Sequence, residues 1–421
     1  MIFTEYKMRD IYEGLYDGPH ATPPIADKGA IFLGISNITQ NGHIDLTNIK
    51  YIGEEYLPKW TKRVTPKGGD IVFSYEATLN LYAIIPEGFW GCLGRRMALI
   101  RPDENKAHGK YIYYYFFSPE WRATVAANTI IGATVDRIPI AKFPDFPIRL
   151  PEIKTQKRIA DILSKYDDLI ENNQKQIKLL EEAAQRLYKE WFVDLRFPGH
   201  ENVKIVDGVP EGWKTMPLGE AISFEIGGGW GEESATEKNE CEAYVIRGTD
   251  FDGLKNGCFL NIPLRFHTEN NLSSRKLQHG DIIFEVSGGS RTEGVARTVR
   301  ITDSMLKRWD KPVMCASFCK LIRPLNDELA QYLFDYLRYL RAAKITEEYD
   351  KRSASSIVNY RWKDFLNQRT LLYPKAKLLN QYNKIAVPLY EKIVTLSLQI
   401  ETAKLARDRL LPKLMSGEIE V

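Results

Sequence analysis

Gly69-Asp-Ile-Val-Phe73 and, 211 residues later, Gly280-Asp-Ile-Ile-Phe284 are one phrase written twice. A Gly-Asp turn running into apolar residues reads as the start of a buried strand. Working outward, Ile100-Arg-Pro102 returns as Ile322-Arg-Pro324, 222 residues on. Upstream, Met8-Arg-Asp-Ile11 and Asp17-Gly18 line up with Leu218-Gly-Glu-Ala221 and Gly227-Gly228. The matches keep their order while their offset grows, which describes a duplicated domain with insertions in its second copy.

After each copy the pattern turns helical. Leu163, Tyr166, Ile170, Asn173, Ile177, Leu180, Ala184, Leu187 and Trp191 follow 3-4 spacing, as do Ala386, Leu389, Ile393, Leu396, Ile400, Ala403, Arg407, Leu410 and Leu414. Every pair, and Pro151 with Pro374, lies 223 residues apart. Such a stripe is the seam of a coiled coil, and a Pro just ahead of a helix costs no hydrogen bond. A stripe of this kind also fits a helix packed on its own domain. Two equivalent stripes favour pairing with each other, with Asn173 as a register pin. The first helix is expected from Glu152 to Phe192, and Pro388 is expected to kink or delay the second.

Between the helices the text is rich in Gly, Pro, aromatics and short β-like runs such as Ala30–Leu33, Leu81–Ile85, Met97–Ile100 and Tyr244–Ile246. Shorter helices are expected near Lys110–Phe117 and Glu328–Ile345. The expected class is α+β: mixed domains at 1–150 and 213–373, a helix at 151–195, a linker at 196–212 and a second helix at 374–421. The two long helices would lie antiparallel as a coiled coil.

The 421 residues, 44% hydrophobic and 27% charged, suit two or three soluble globular domains. A net charge of +3 confines any polyanion-binding surface to local patches. Five cysteines without a Cys-x-x-Cys pair argue against a disulfide scaffold or a four-thiolate zinc site. The opening MIFTEYKMRD is charged where a signal peptide is apolar, and no run reaches the length of a membrane span. A cytoplasmic location without membrane contact is expected.

Catalytic patterns are missing. The one Pro-Pro, at Pro23-Pro24, lacks the flanking acid or amide and aromatic of a base amino-methyltransferase. No Gly-x4-Gly-Lys-Ser/Thr loop occurs, and the six histidines are scattered. Gly227–Gly229 reads as a flexible turn, and Cys315 and Cys319 as core thiols. Asp145, Glu152 and Lys154 resemble a metal-dependent nuclease set, yet they straddle Pro147 and Pro151 at a helix start. Acids there are favoured by the helix dipole. No catalytic residue, metal or cofactor is expected on this chain.

Two patches suit DNA. In the first copy these are Lys59, Trp60, Lys62, Arg63 and Lys67, with Arg95 and Arg96. In the second, Ser287, Ser290, Arg291 and Thr292 tip a Gly-rich loop, followed by Arg297, Arg300, Lys307, Arg308 and Lys311. Such donors bond phosphates and base edges. Alone, each cluster also fits a solvated face, and the duplication favours DNA contact.

The layout resembles the specificity subunit of type I restriction-modification enzymes. The resemblance rests on Asp17-Gly-Pro-His-Ala-Thr-Pro23 with Phe32–Ile38, and on the junction Leu150-Pro-Glu-Ile-Lys-Thr-Gln-Lys-Arg-Ile-Ala-Asp-Ile-Leu163. It continues through Leu187-Tyr-Lys-Glu-Trp-Phe192, Gly208-Val-Pro-Glu-Gly-Trp213 and Leu410-Leu-Pro-Lys-Leu-Met-Ser-Gly-Glu-Ile419. It implies two target-recognition domains, each reading half of a bipartite site in double-stranded DNA, with the helices as spacer. It also implies two methyltransferase subunits using S-adenosylmethionine and two motor-nuclease subunits using ATP and Mg²⁺, with no catalysis by this chain. Readings from other classes are a self-contained nuclease built on Asp145, Glu152 and Lys154, and a duplicated scaffold that binds only proteins.

Overall fold

The computed structural model describes all residues except 133, 289–293 and 353–356. The chain divides into two compact units, Met1–Asp168 with Lys404–Val421, and Leu169–Ala403.

The first unit is built on a four-stranded antiparallel sheet in the order Tyr12–Asp17, Met97–Pro102, Ile71–Ser74, Tyr82–Ile84. A smaller sheet runs Ile25–Ala26, Lys50–Ile52, Ala30–Leu33, Gly91–Leu93, its last pairing parallel. Thr4–Lys7 pairs with Pro147–Leu150 and brings the two ends of the mixed domain together. The helices Gly109–Tyr115 and Pro119–Asn128 place Tyr111, Tyr115 and Trp121 in the core.

The second unit repeats this plan. Its four strands lie in the order Ile222–Gly227, Cys319–Pro324, Ile282–Glu285, Thr298–Arg300. The register slips at the same point of the first pairing in each copy, between Tyr12 and Gly14 and between Ile222 and Phe224. The smaller sheet, Leu264–His267, Cys241–Ile246, Val313–Cys315, again ends in a parallel pairing, and Lys214–Pro217 pairs with Thr370–Tyr373.

The two repeated phrases turn out to be the two halves of one contact. Gly69 and Gly280 take φ of 87° and 86°, a conformation that favours glycine. The aspartates that follow, Asp70 and Asp281, are each 1% exposed. A carboxylate so deeply buried needs a charged partner. Arg101 and Arg323, from the Ile-Arg-Pro phrases on the adjacent strands, supply it in two bonds of 2.8 Å each. Each aspartate also accepts from the turn before it, from the Lys67 amide at 2.9 Å and the Gln278 amide at 2.7 Å. Both arginines are held above their ordinary pKa, chiefly by these bonds.

The long helices are Ile153–Tyr188, ending in a π-helical turn over Lys189–Val193, and Ala376–Ser416. In the first unit Leu163, Leu411 and Leu414 share one core, with Tyr166 and Leu410 half-buried. In the second, Ile170, Asn173, Ile177, Ile393, Leu396 and Ile400 are buried and Leu180, Leu187 and Leu389 half-buried. Asn173 donates to Gln399 at 3.3 Å while Tyr188 meets Tyr382 at 6.4 Å, so the pairing there is antiparallel. Pro388 does not delay the second helix, which begins at Ala376 and continues through it. Pro388 and Lys384 are both exposed, so the carbonyl that loses its N–H donor faces water. Among the described residues no helix is long and apolar enough to cross a membrane.

Candidate nucleic-acid interface

The first patch grows from the smaller sheet of the first unit. After strand Lys50–Ile52 a short helix, Leu57–Trp60, turns the Trp60 ring into a core with Phe32, Ile52 and Cys92. Trp60 is thereby 7% exposed, and Lys59, Lys62, Arg63 and Lys67 carry charge to the surface. Lys59 Nζ lies 5.1 Å from the centre of the Trp60 ring.

Folding joins Arg63 to Arg96, 33 residues away in sequence. Arg63 pairs with Asp17, which also meets His20 Nε2 at 3.2 Å, while Arg96 meets Glu76 at 3.3 Å. Between them stands Tyr75, 5% exposed, with no hydrogen-bond partner for its hydroxyl among the described residues. Burial, with Asp17 and Glu76 nearby, pushes that phenol up to about 12. Arg95 is exposed beside them. The cluster is a mixed-charge surface of donors at one end of the main sheet.

The second patch is assembled differently. Ser290, Arg291 and Thr292 lie outside the described residues. Ser287 is buried and its hydroxyl donates to Asn359 at 2.9 Å. Arg297 bonds Glu285 at 2.6 and 2.9 Å, Arg308 pairs with Glu401, and Lys311 meets Glu242 at 2.6 Å. Arg300 is 3% exposed and stacks over Tyr390 at 5.6 Å. Much of this charge is committed to ion pairs inside the unit.

The structural counterpart of the first patch follows strand Leu264–His267, in helix Glu269–Arg275 and Lys276. Lys276 is exposed, and Arg275 donates to the Gly227 carbonyl at 2.9 Å. Nearby, Arg265, a largely covered residue of strand Leu264–His267, lies 4.4 Å from the ring of the exposed Trp230 on the Gly-rich turn and 3.2 Å from Glu233. Arg265, Arg275, Lys276 and Trp230 were missed from sequence. The 211-residue offset of the Gly-Asp phrases carries Lys59–Lys67 onto 270–278, and so signalled two of them.

Asp145 pairs with Lys7 at 3.3 Å and with Arg9, and Glu152 lies exposed just before the central helix. Among the described residues no three His, Cys, Asp or Glu side chains are grouped to hold a metal ion. A cavity of about 430 Å³ in the first unit is lined by Tyr113, Tyr114, Arg122, Asp167 and Arg407. One of about 250 Å³ in the second is lined by Phe251, Arg297, Phe334, Arg338 and Tyr390. Arg338 is bonded there to Glu181 at 3.0 Å.

Residues 24–182 match the type I restriction modification DNA specificity domain family. The type I restriction enzyme MjaIX specificity subunit of Methanocaldococcus jannaschii is 26% identical over 407 residues, covering 90% of this chain and 85% of that one. The HindI specificity subunit of Haemophilus influenzae is 26% identical over 176 residues, covering 40% of this chain and 37% of its own. A crystal structure of a type I restriction-modification S subunit from M. genitalium superposes with a TM-score of 0.60, covering 98% of this chain and 96% of that one. At 17% identity that likeness concerns the fold alone.

Proposed function

We propose, from the premise that this chain belongs with the specificity subunits of type I restriction-modification enzymes, that it selects the DNA target of such a complex. Residues 1–150 and 213–373 each read one half of a bipartite, asymmetric site. The helices of 151–195 and 374–421 set the gap between the halves, and 196–212 links the first helix to the second reader. Contacts to phosphates position each reader, while a few side chains on base edges specify sequence. The chain itself performs no chemistry. Two methyltransferase subunits bring S-adenosylmethionine, two motor-nuclease subunits bring ATP and Mg²⁺, and the complex works in the cytoplasm.

The observation that carries this reading is the duplication: the same Asp–Arg-tied sheet occurs twice, each copy followed by a long helix in one 223-residue register. Two equivalent readers on helices of fixed phase suit a target of two specified parts and an unspecified gap. DNA contact is assigned to Lys59, Lys62, Arg63, Arg95 and Arg96 with Trp60 as their support, and to Ser287, Ser290, Arg291, Thr292 and Arg297 with Lys276 and Arg265 added. Sequencing methylated sites in a host expressing the chain with its methyltransferase tests the reading. Replacing residues 1–150 by the corresponding domain of a relative is expected to change one half-site and leave the other. If both change together, the modular reading fails.

A further inference from the structure

An apolar, heptad-spaced seam leaves its own register open. Sliding one helix by seven residues, about 10 Å at 1.5 Å per residue, exchanges Ile for Ile or Leu and costs the apolar positions little. The register is left to polar contacts, of which Asn173 with Gln399 at 3.3 Å is a neutral one. In the second unit Ile170 and Ile177, with Ile393 and Ile400, are spaced in this way.

One place in the first unit is different. Asp167 of the central helix and Arg407 of the last helix meet at 2.5 Å, their side chains 16% and 11% exposed. Tyr114, on helix Gly109–Tyr115 of the mixed domain, donates to the other oxygen of the same carboxylate at 2.5 Å. Three elements therefore converge on one largely buried carboxylate. Arg407 also bonds Asp408 at 2.8 Å, so the guanidinium is held from two sides. A slip of seven residues would set Asp167 against Ile400 or Leu414, and Arg407 against Ala160 or Gln174. Stripping a largely buried carboxylate of its charged partner is strongly unfavourable.

We propose that Tyr114, Asp167 and Arg407 are positioning residues that pin the register of the helix pair and so determine the gap length of the DNA target. This inference rests on the reading of the chain as a two-reader specificity subunit. A heptad of displacement, about 10 Å, corresponds to about three base pairs at ~3.4 Å each. The pin therefore discriminates between targets whose half-sites are identical and whose gaps differ by that amount.

The experiment pairs Asp167→Leu with Arg407→Leu in the full chain, assembled with its methyltransferase. Methylation is read on a DNA library holding both half-sites constant and varying the gap. Wild type is expected to methylate one gap length. The double variant is expected to raise methylation at gaps about three base pairs away by tenfold or more relative to wild type, with both half-sites unchanged. Arg407→Lys, which keeps the charge, is expected to retain the single gap. A double variant that stays confined to the wild-type gap overturns the proposal, as does Arg407→Lys relaxing the gap equally. If the double variant does not assemble, the isosteric Asp167→Asn decides by the same profile, relaxed gaps supporting the pin and an unchanged gap overturning it. Wild type that methylates no bipartite target sinks the two-reader reading itself, a separate outcome.

Discussion

The long helices are held in the two units by different chemistry at equivalent places. In the first, charge does it: Tyr114, Asp167 and Arg407 close on one another. In the second, the residues 223 positions away are Tyr390 and Ala184, both buried. There the Tyr390 hydroxyl donates to the Arg300 carbonyl at 2.8 Å. Further along, Tyr188, Phe192, Tyr332 and Tyr382 form an aromatic cluster with ring centres 4.6 to 6.4 Å apart. Its polar member is Asp335, which accepts from Tyr382 at 2.7 Å and Gln331 at 2.8 Å. Duplication preserved the phase of the helices and the Asp–Arg tie of the sheets, while the helix contacts diverged. What stays constant is the phase of the helices; an ion pair holds them in the first unit and packed aromatic area in the second.

The comparison breaks most forcefully at the shared feature. Arg101→Ala and Arg323→Ala each strand a carboxylate that is 1% exposed, and each is expected to cost about 3–5 kcal/mol in denaturant unfolding. A large loss from one and almost none from the other would show that the two sheets are not tied alike.

The divergent contacts come next. Tyr382→Phe removes a donor from Asp335 and is expected to cost about 1–3 kcal/mol. Complete burial, opposed by nearby Arg338, raises the Asp335 carboxyl above the ordinary carboxylate range. An acid raised in the folded state adds stability that is full below its unfolded pKa and lost as pH rises through the folded one. Asp335→Asn is therefore expected to flatten the decline of stability as pH rises above about 4. Parallel pH profiles for variant and wild type would remove Asp335 from the account.

The smallest effects are expected at the surface. Lys62→Ala and Lys276→Ala each delete one exposed cation from equivalent elements. Each is expected to weaken binding to all DNA sequences alike and to lower the salt slope of affinity by about one. A loss confined to one base position would instead make that lysine a reader.

Most of the architecture was legible because it is periodic or repeated. The Gly-Asp phrases located homologous strands, and the constant spacing from Pro151 and Pro374 located both helices. Contacts between distant residues were not legible. Arg407 sat in the apolar stripe as an anomaly, but its partner is 240 residues away and a heptad pattern names no partner. The delay expected at Pro388 does not occur, because sequence does not reveal which face of a helix meets water. In the second unit, Arg297 and Arg308 look like free charge in sequence, whereas Glu285 and Glu401 approach them only after folding. Arg265 pairs with Trp230 across 35 residues, beyond any local pattern.

The equal phase of the two helices has a genetic consequence. An unequal crossover between the copies, falling after codon 167 and before the codon for Ala184, would delete one mixed domain and rejoin the helix without a frame of phase lost. The shortened product would carry Asp167 and Arg407 on a single chimeric helix, seventeen positions apart by this numbering, since Arg407 takes the place of Ala184. Two such products pairing antiparallel would set each Asp167 against the other's Arg407. One recombination event thus converts a helix complementary to its neighbour into one complementary to itself, and a duplicated chain into one half of a symmetric pair.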